Sequence, residues 1–90
     1  MKKDFLVFEY RESEGRGEPC QMHYNNIHED GTTDAPIFSN GYRPVAVIPA
    51  DLVASEKWGK FVDGIGKKKL SYNEVFRATI AWLINHGFRP

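Results

Sequence analysis

The stretch Leu70–Gly87, LSYNEVFRATIAWLINHG, decides how the rest of the chain is read. It carries helix signals at both ends. The Ser71 hydroxyl can accept from an unpaired backbone N–H one turn in, and Glu74, three residues later, can reach back to form a capping box. Gly87 follows the last periodic residue, where a left-handed turn suits a residue without Cβ. Between these ends Val75, Phe76, Thr79, Ile80 and Leu83 recur at helical spacing as one apolar stripe, and Trp82 and Ile84 widen it. A helix this apolar is either central to a domain or shared with a second copy of itself.

Upstream, Asp51 to about Ile65 reads as a first helix, its stripe being Leu52, Ala54, Trp58, Phe61, Val62 and Ile65. Ser55 is an alternative N-cap within it. Gly64 and Gly66 are expected to stop this helix, leaving Lys67–Lys69 as the link to the last one. Before it, Ile37–Ser39, Asn40-Gly41 and Tyr42 onward predict a β-hairpin, since Asn-Gly supplies two positive φ angles. Val45–Ile48 continues the returning strand, with Pro44 marking an edge and Pro49 its end. Phe5–Tyr10 reads as a strand apolar on both faces. Cys20–His28 reads as a second strand, with Met22 and Tyr24 on one face and His23 and Ile27 on the other. Arg11–Pro19 predicts a mobile charged loop, and Glu29–Pro36 is turn chemistry.

Ninety residues make one domain. A chain this short gains from pairing with a copy of itself, because a small domain buries a modest share of its surface. The fold class is therefore α+β: N-terminal strands and hairpins, then strand–helix–helix, as an intertwined homodimer. Charge is balanced overall but divided. Residues 1–42, the β-rich part, hold four basic against eight acidic side chains, and residues 43–90 hold eight against four. The C-terminal part can attract a polyanion. No apolar run reaches the ~20 residues of a membrane span, and no signal peptide opens the chain. The single Cys20 has no internal disulfide partner, which fits a reducing cytoplasm.

The segment PVAVIPADL, a helix, a Gly–Lys turn and then LSYNEVFRATIAWLINHG resembles the ribbon-helix-helix family of DNA-binding proteins. The strand ends in Ile48-Pro49 with Leu52 three residues on. The last helix opens Ser71-Tyr72-Asn73-Glu74 and continues Val75-Phe76-Arg77, Thr79-Ile80, Trp82-Leu83, similar to the family's second helix. The likeness covers residues 43–87. It implies a dimer whose paired strands enter the major groove, with Trp58, Phe61, Phe76, Ile80 and Leu83 in the shared core. Arg43, Val45 and Val47 would face the bases. Ser71, Tyr72 and Asn73 would open the helix on a phosphate, with Lys67, Lys68 and Lys69 beside them. The phosphate role has its own physics: a helix N-terminus offers free N–H groups and a positive dipole end. The departures are two valines where base-reading side chains usually stand, a longer link between the helices, and Pro44 in the strand.

Other chemistry is weaker. Cys20 and His23 point to opposite faces of a strand, and with His28 match no common zinc spacing, so no metal is expected. Gly64-Ile65-Gly66-Lys67 lacks phosphate-loop spacing. Glu12, Glu14 and Glu18 read as solvated loop charges. Nothing assembles a reaction centre, and neither an enzyme nor a cofactor is expected. Three functions stay open: a dimeric DNA-binding regulator or mobile-element accessory factor; a phage- or plasmid-type interaction module using an aromatic N-terminal sheet; and a single-stranded nucleic-acid binder stacking bases on Tyr10, Tyr24 and Tyr42.

Overall fold

A computed structural model describes residues 4–12 and 20–88. The expected mobile loop lies mostly outside these residues, as do Glu14 and Glu18. Three strands, β1 (Phe5–Arg11), β2 (Gln21–Asn26) and β3 (Arg43–Pro49), form an antiparallel sheet in the order β2-β1-β3. Three helices follow: a single turn α1 (Ala50–Val53), α2 (Glu56–Lys68) and α3 (Tyr72–Asn85). The α+β class with N-terminal strands is what the sequence predicts. No helix of the described residues is long and apolar enough to cross a membrane.

The central strand β1 is apolar on both faces because both faces are covered. Leu6, Phe8 and Tyr10 face the helices and share a core with Ile48, Leu52, Trp58, Ile65, Val75 and Leu83. Trp58 is the hub. Its ring lies 5.2 Å from both Phe8 and Trp82, edge-on to each, and its Nε1–H donates to the Tyr24 hydroxyl at 2.8 Å. On the other face Val7, Glu9 and Asn25 are buried. The connection between β2 and β3 crosses there as a strap: Asn25 Nδ2 donates to Ala35 O at 2.7 Å, and Tyr42 stacks on His23 at 3.9 Å.

Four local expectations need correction. The hairpin around Asn40-Gly41 is absent. Asn40 (φ 58°) and Gly41 (φ 81°) do take positive φ, but within a 3-10 turn, Ser39–Gly41, and β3 pairs with β1 instead. The first helix is broken in two, and Ser55 is the N-cap of its main part, accepting from Trp58 N–H at 3.1 Å. Gly64 and Gly66 do not stop α2, which runs to Lys68, so Lys67 and Lys68 are its last turn rather than a linker. The stop is Lys69, in the left-handed conformation usually given to glycine (φ 49°). Finally, β3 does not alternate evenly. Phe8 faces Ala46 and Glu9 faces Pro44, so Val45 is the extra residue of a β-bulge. The bulge turns Val45 inward, to 5% exposure, while Val47 stays outward at 53%.

Candidate functional site

The start of α3 forms as its sequence predicts. Glu74 N–H donates to Ser71 Oγ at 3.3 Å and Ser71 N–H donates to Glu74 Oε1 at 3.1 Å, a complete capping box. These hydrogen bonds, chiefly the backbone one from Ser71, hold the Glu74 carboxyl below the usual carboxylate range. Two phenols fix the position of this helix end. The Tyr10 hydroxyl donates to Leu70 O, and the Tyr72 hydroxyl donates to Pro44 O of β3. Burial, then the neighbouring Cys20, pushes the Tyr10 phenol well above its ordinary value.

The amide expected to hold a phosphate already has an anion. Tyr72 N–H donates to the Glu12 carboxylate, which reaches across from the end of β1. Glu12 is thus a cap for α3 as well as a surface charge. The residues read from the sequence as DNA-contacting differ in exposure and partners. Val45 is in the core, Val47 faces out, and Arg43 lies 3.9 Å over the Tyr72 ring. Lys67, Lys68 and Lys69 are exposed together with Ser71 and Asn73. At the C-terminal end of α2 the lysines also complement the helix dipole.

The residues expected at a dimer interface divide similarly. Trp58 and Leu83 are buried in the chain's own core, and Phe61 is half-buried, stacked on Trp82 at 5.5 Å. Ile80 is half-buried. Phe76 is 42% exposed and Ile84 58% exposed, although both belong to the apolar stripe. Phe76, Ile80 and Ile84 are four apart, so they share one side of α3. It is the β3 side, because Tyr72, one turn before Phe76, is bonded to Pro44 and stacks on Phe76 at 6.1 Å.

The strand below that side has a free edge among the described residues, since β3 ends the sheet. Ala50 N–H donates to Asp4 O, so by alternation Ile48 and Ala46 bond β1 and Val47 turns its N–H and C=O outward. Pro44 and Pro49 flank it.

Of the sheet aromatics, Phe8 and Tyr10 are buried, while Tyr24, bonded to Trp58, and Tyr42, lying on His23, are half-buried. Cys20 is buried, with Sγ 3.7 Å from Gly66 O, and His28 Nε2 is 2.7 Å from Asp34 Oδ1. Among the described residues no cluster of three or more His, Cys, Asp or Glu could hold a metal ion.

Sequence reasoning missed two arrangements. One is Glu12 at α3, whose partner is sixty residues away. The other is Glu9, 1% exposed, its Oε1 against His23 Nε2 and its Oε2 without a partner among the described residues. A glutamate within the apolar run Phe5–Tyr10 was the available signal. No known protein family, curated protein or solved structure matches this chain.

Proposed function

We propose that the chain is a non-catalytic binding module that works as a homodimer, two copies joined edge to edge along β3 with the Phe76–Ile80–Ile84 sides of α3 packed across the two-fold axis. The observation that carries this is a coincidence of two unmet needs on one side of the subunit: an open strand edge, and above it an apolar helix side left out of a closed core. An isologous contact answers both at once. The prolines leave only the segment around Val47 free to pair, which favours one register. The direct test is sedimentation across a concentration series, where a protein that stays monomeric at millimolar concentration refutes it.

This arrangement speaks for protein recognition rather than groove reading. Pairing two β3 strands here makes a six-stranded sheet, because β1 and β2 are already attached. At ~4.8 Å between neighbouring strands its five spacings measure about 24 Å across, whereas the major groove is about 12 Å wide. The lysine corner supports a second reading, contact with a nucleic-acid backbone, because Lys67, Lys68 and Lys69 are all exposed beside the opening of α3. Binding to duplex DNA that falls steeply with salt, and falls again in the triple Lys→Ala variant, is the result that would favour this second reading.

A further inference from the structure

We propose that the groove between α2 and α3 is a docking site for an acidic peptide segment carrying large apolar side chains. This rests on the reading of the chain as a protein-binding module and names the chemistry of its partner. The floor of the groove is Phe61 and Ile65 of α2, Leu70 of the link and Ala78 of α3. Lys60 and Lys68 stand on its rim. Its volume is about 230 Å³. That is below the ~300–1,000 Å³ of a small-molecule site, and suits one or two inserted side chains.

Two features describe what the groove can take. The first is Gly64, which lies on the floor midway between the two lysines, four residues from each. It has ordinary helical geometry, and a Cβ built on it meets nothing within 4 Å. Neither packing nor backbone conformation requires glycine there, and glycine weakens a helix interior. Its bare backbone leaves the floor open, although Gly59, outside the groove, is equally unconstrained. The second is charge. Lys60 and Lys68 are exposed, and among the described residues the pair that Lys60 Nζ makes with Glu56 at 3.5 Å is between two solvated groups and readily exchanged.

The apolar floor distinguishes the partner classes. A duplex backbone satisfies the lysines but has nothing to place against Phe61 and Ile65. A helical or extended peptide with Leu or Phe among Glu and Asp satisfies both.

The test uses the full chain and fluorescein-labelled 12-residue peptides read by anisotropy. One peptide alternates Glu with Leu and Phe; the controls replace the apolar residues by Ser, or Glu by Gln. The expected result is that only the first binds, that K60A/K68A weakens it at least 10-fold, and that Gly64→Leu abolishes it. Gly64→Ala raises Tm by several degrees while weakening the peptide, opposite signs that a purely structural glycine cannot give. Three results overturn the proposal: no binding of the first peptide, equal binding of the Ser control, or unchanged affinity in a folded Gly64→Leu variant. Displacement of the peptide by a 20-base-pair DNA duplex through Phe61 and Ile65, lost in F61S, also overturns it. Sedimentation of the same samples separates the two readings: an intact dimer without peptide binding sinks the groove alone, and peptide binding by a monomer sinks the dimer alone.

Discussion

Ile84→Ala isolates the proposed self-association. Ile84 sits near the end of α3, where 58% of its surface meets solvent in the single subunit. Full burial of an isoleucine side chain stabilises by about 1.5–3 kcal/mol. The exposed fraction therefore makes about 1.3 kcal/mol available when a second copy covers it. An isologous interface uses each residue twice, so truncating both side chains removes about 2.6 kcal/mol, or roughly a 70-fold weaker dimer. The subunit itself loses little, because changes at an exposed position usually stay within about 0.5 kcal/mol. The experiment is equilibrium sedimentation of wild type and variant over three decades of concentration, with urea unfolding of the dilute protein as the control. A dimer constant unchanged by the substitution refutes the placement of the interface on this side of α3. A large fall in urea midpoint at a concentration where both proteins are monomeric would show that Ile84 belongs to the subunit core instead.

Other expectations follow from single contacts. Glu12→Gln weakens the cap on Tyr72 N–H and should lower stability by about 0.5–1 kcal/mol in urea melts. If that amide is a phosphate anchor, the same variant binds duplex DNA more tightly than wild type, and unchanged affinity places the anchor elsewhere. Thr79 is fully buried with its Oγ1 unpartnered among the described residues, so Thr79→Val should stabilise by about 1 kcal/mol and raise Tm by roughly 4–8 °C; a lower Tm would mean that the hydroxyl is bonded after all. Glu74 has a depressed carboxyl in the folded chain, so its contribution is present above the unfolded-state value and is lost as pH falls through the folded one. Glu74→Gln should therefore flatten the acid limb of a stability–pH curve, and an identical limb in both proteins would contradict the capping box. His23→Ala leaves the buried Glu9 carboxyl with neither oxygen partnered among the described residues and should cost about 1–3 kcal/mol, measured as a shift in urea midpoint.

What could be read directly from the residues was local. The capping box at Ser71–Glu74, the positive φ at Gly87 (83°) and the strand character of Phe5–Tyr10 depend on groups within a few positions of one another. So does the N-cap at Ser55. The misread points share a cause: their outcome was set by partners far along the chain. Asn40-Gly41 takes the backbone angles its sequence favours, yet β3 finds β1 instead of a hairpin partner, because Phe8, Leu6 and Ile48 bury more together. The bulge at Val45 reverses its facing, and a period-two count cannot foresee an inserted residue. Gly66 fails to end α2 because Ile65, just before it, is buried in the shared core, and tertiary burial outweighs a weak helix propensity.

The candidate surfaces divide along the same line. That α3 has more apolar residues than one face needs is legible in LSYNEVFRATIAWLINHG. Which of them stay uncovered was decided only when Val75, Thr79 and Leu83 were buried in the fold and left Phe76 and Ile84 exposed. The lysines are equally plain in the sequence, but Glu12 arriving at the α3 amide, sixty residues away, is a product of the folded chain. Sequence sets what each segment prefers because those preferences come from neighbouring backbone and side-chain sterics. Tertiary structure decides which surfaces remain free, because exposure is fixed by the competition of all segments for one small core.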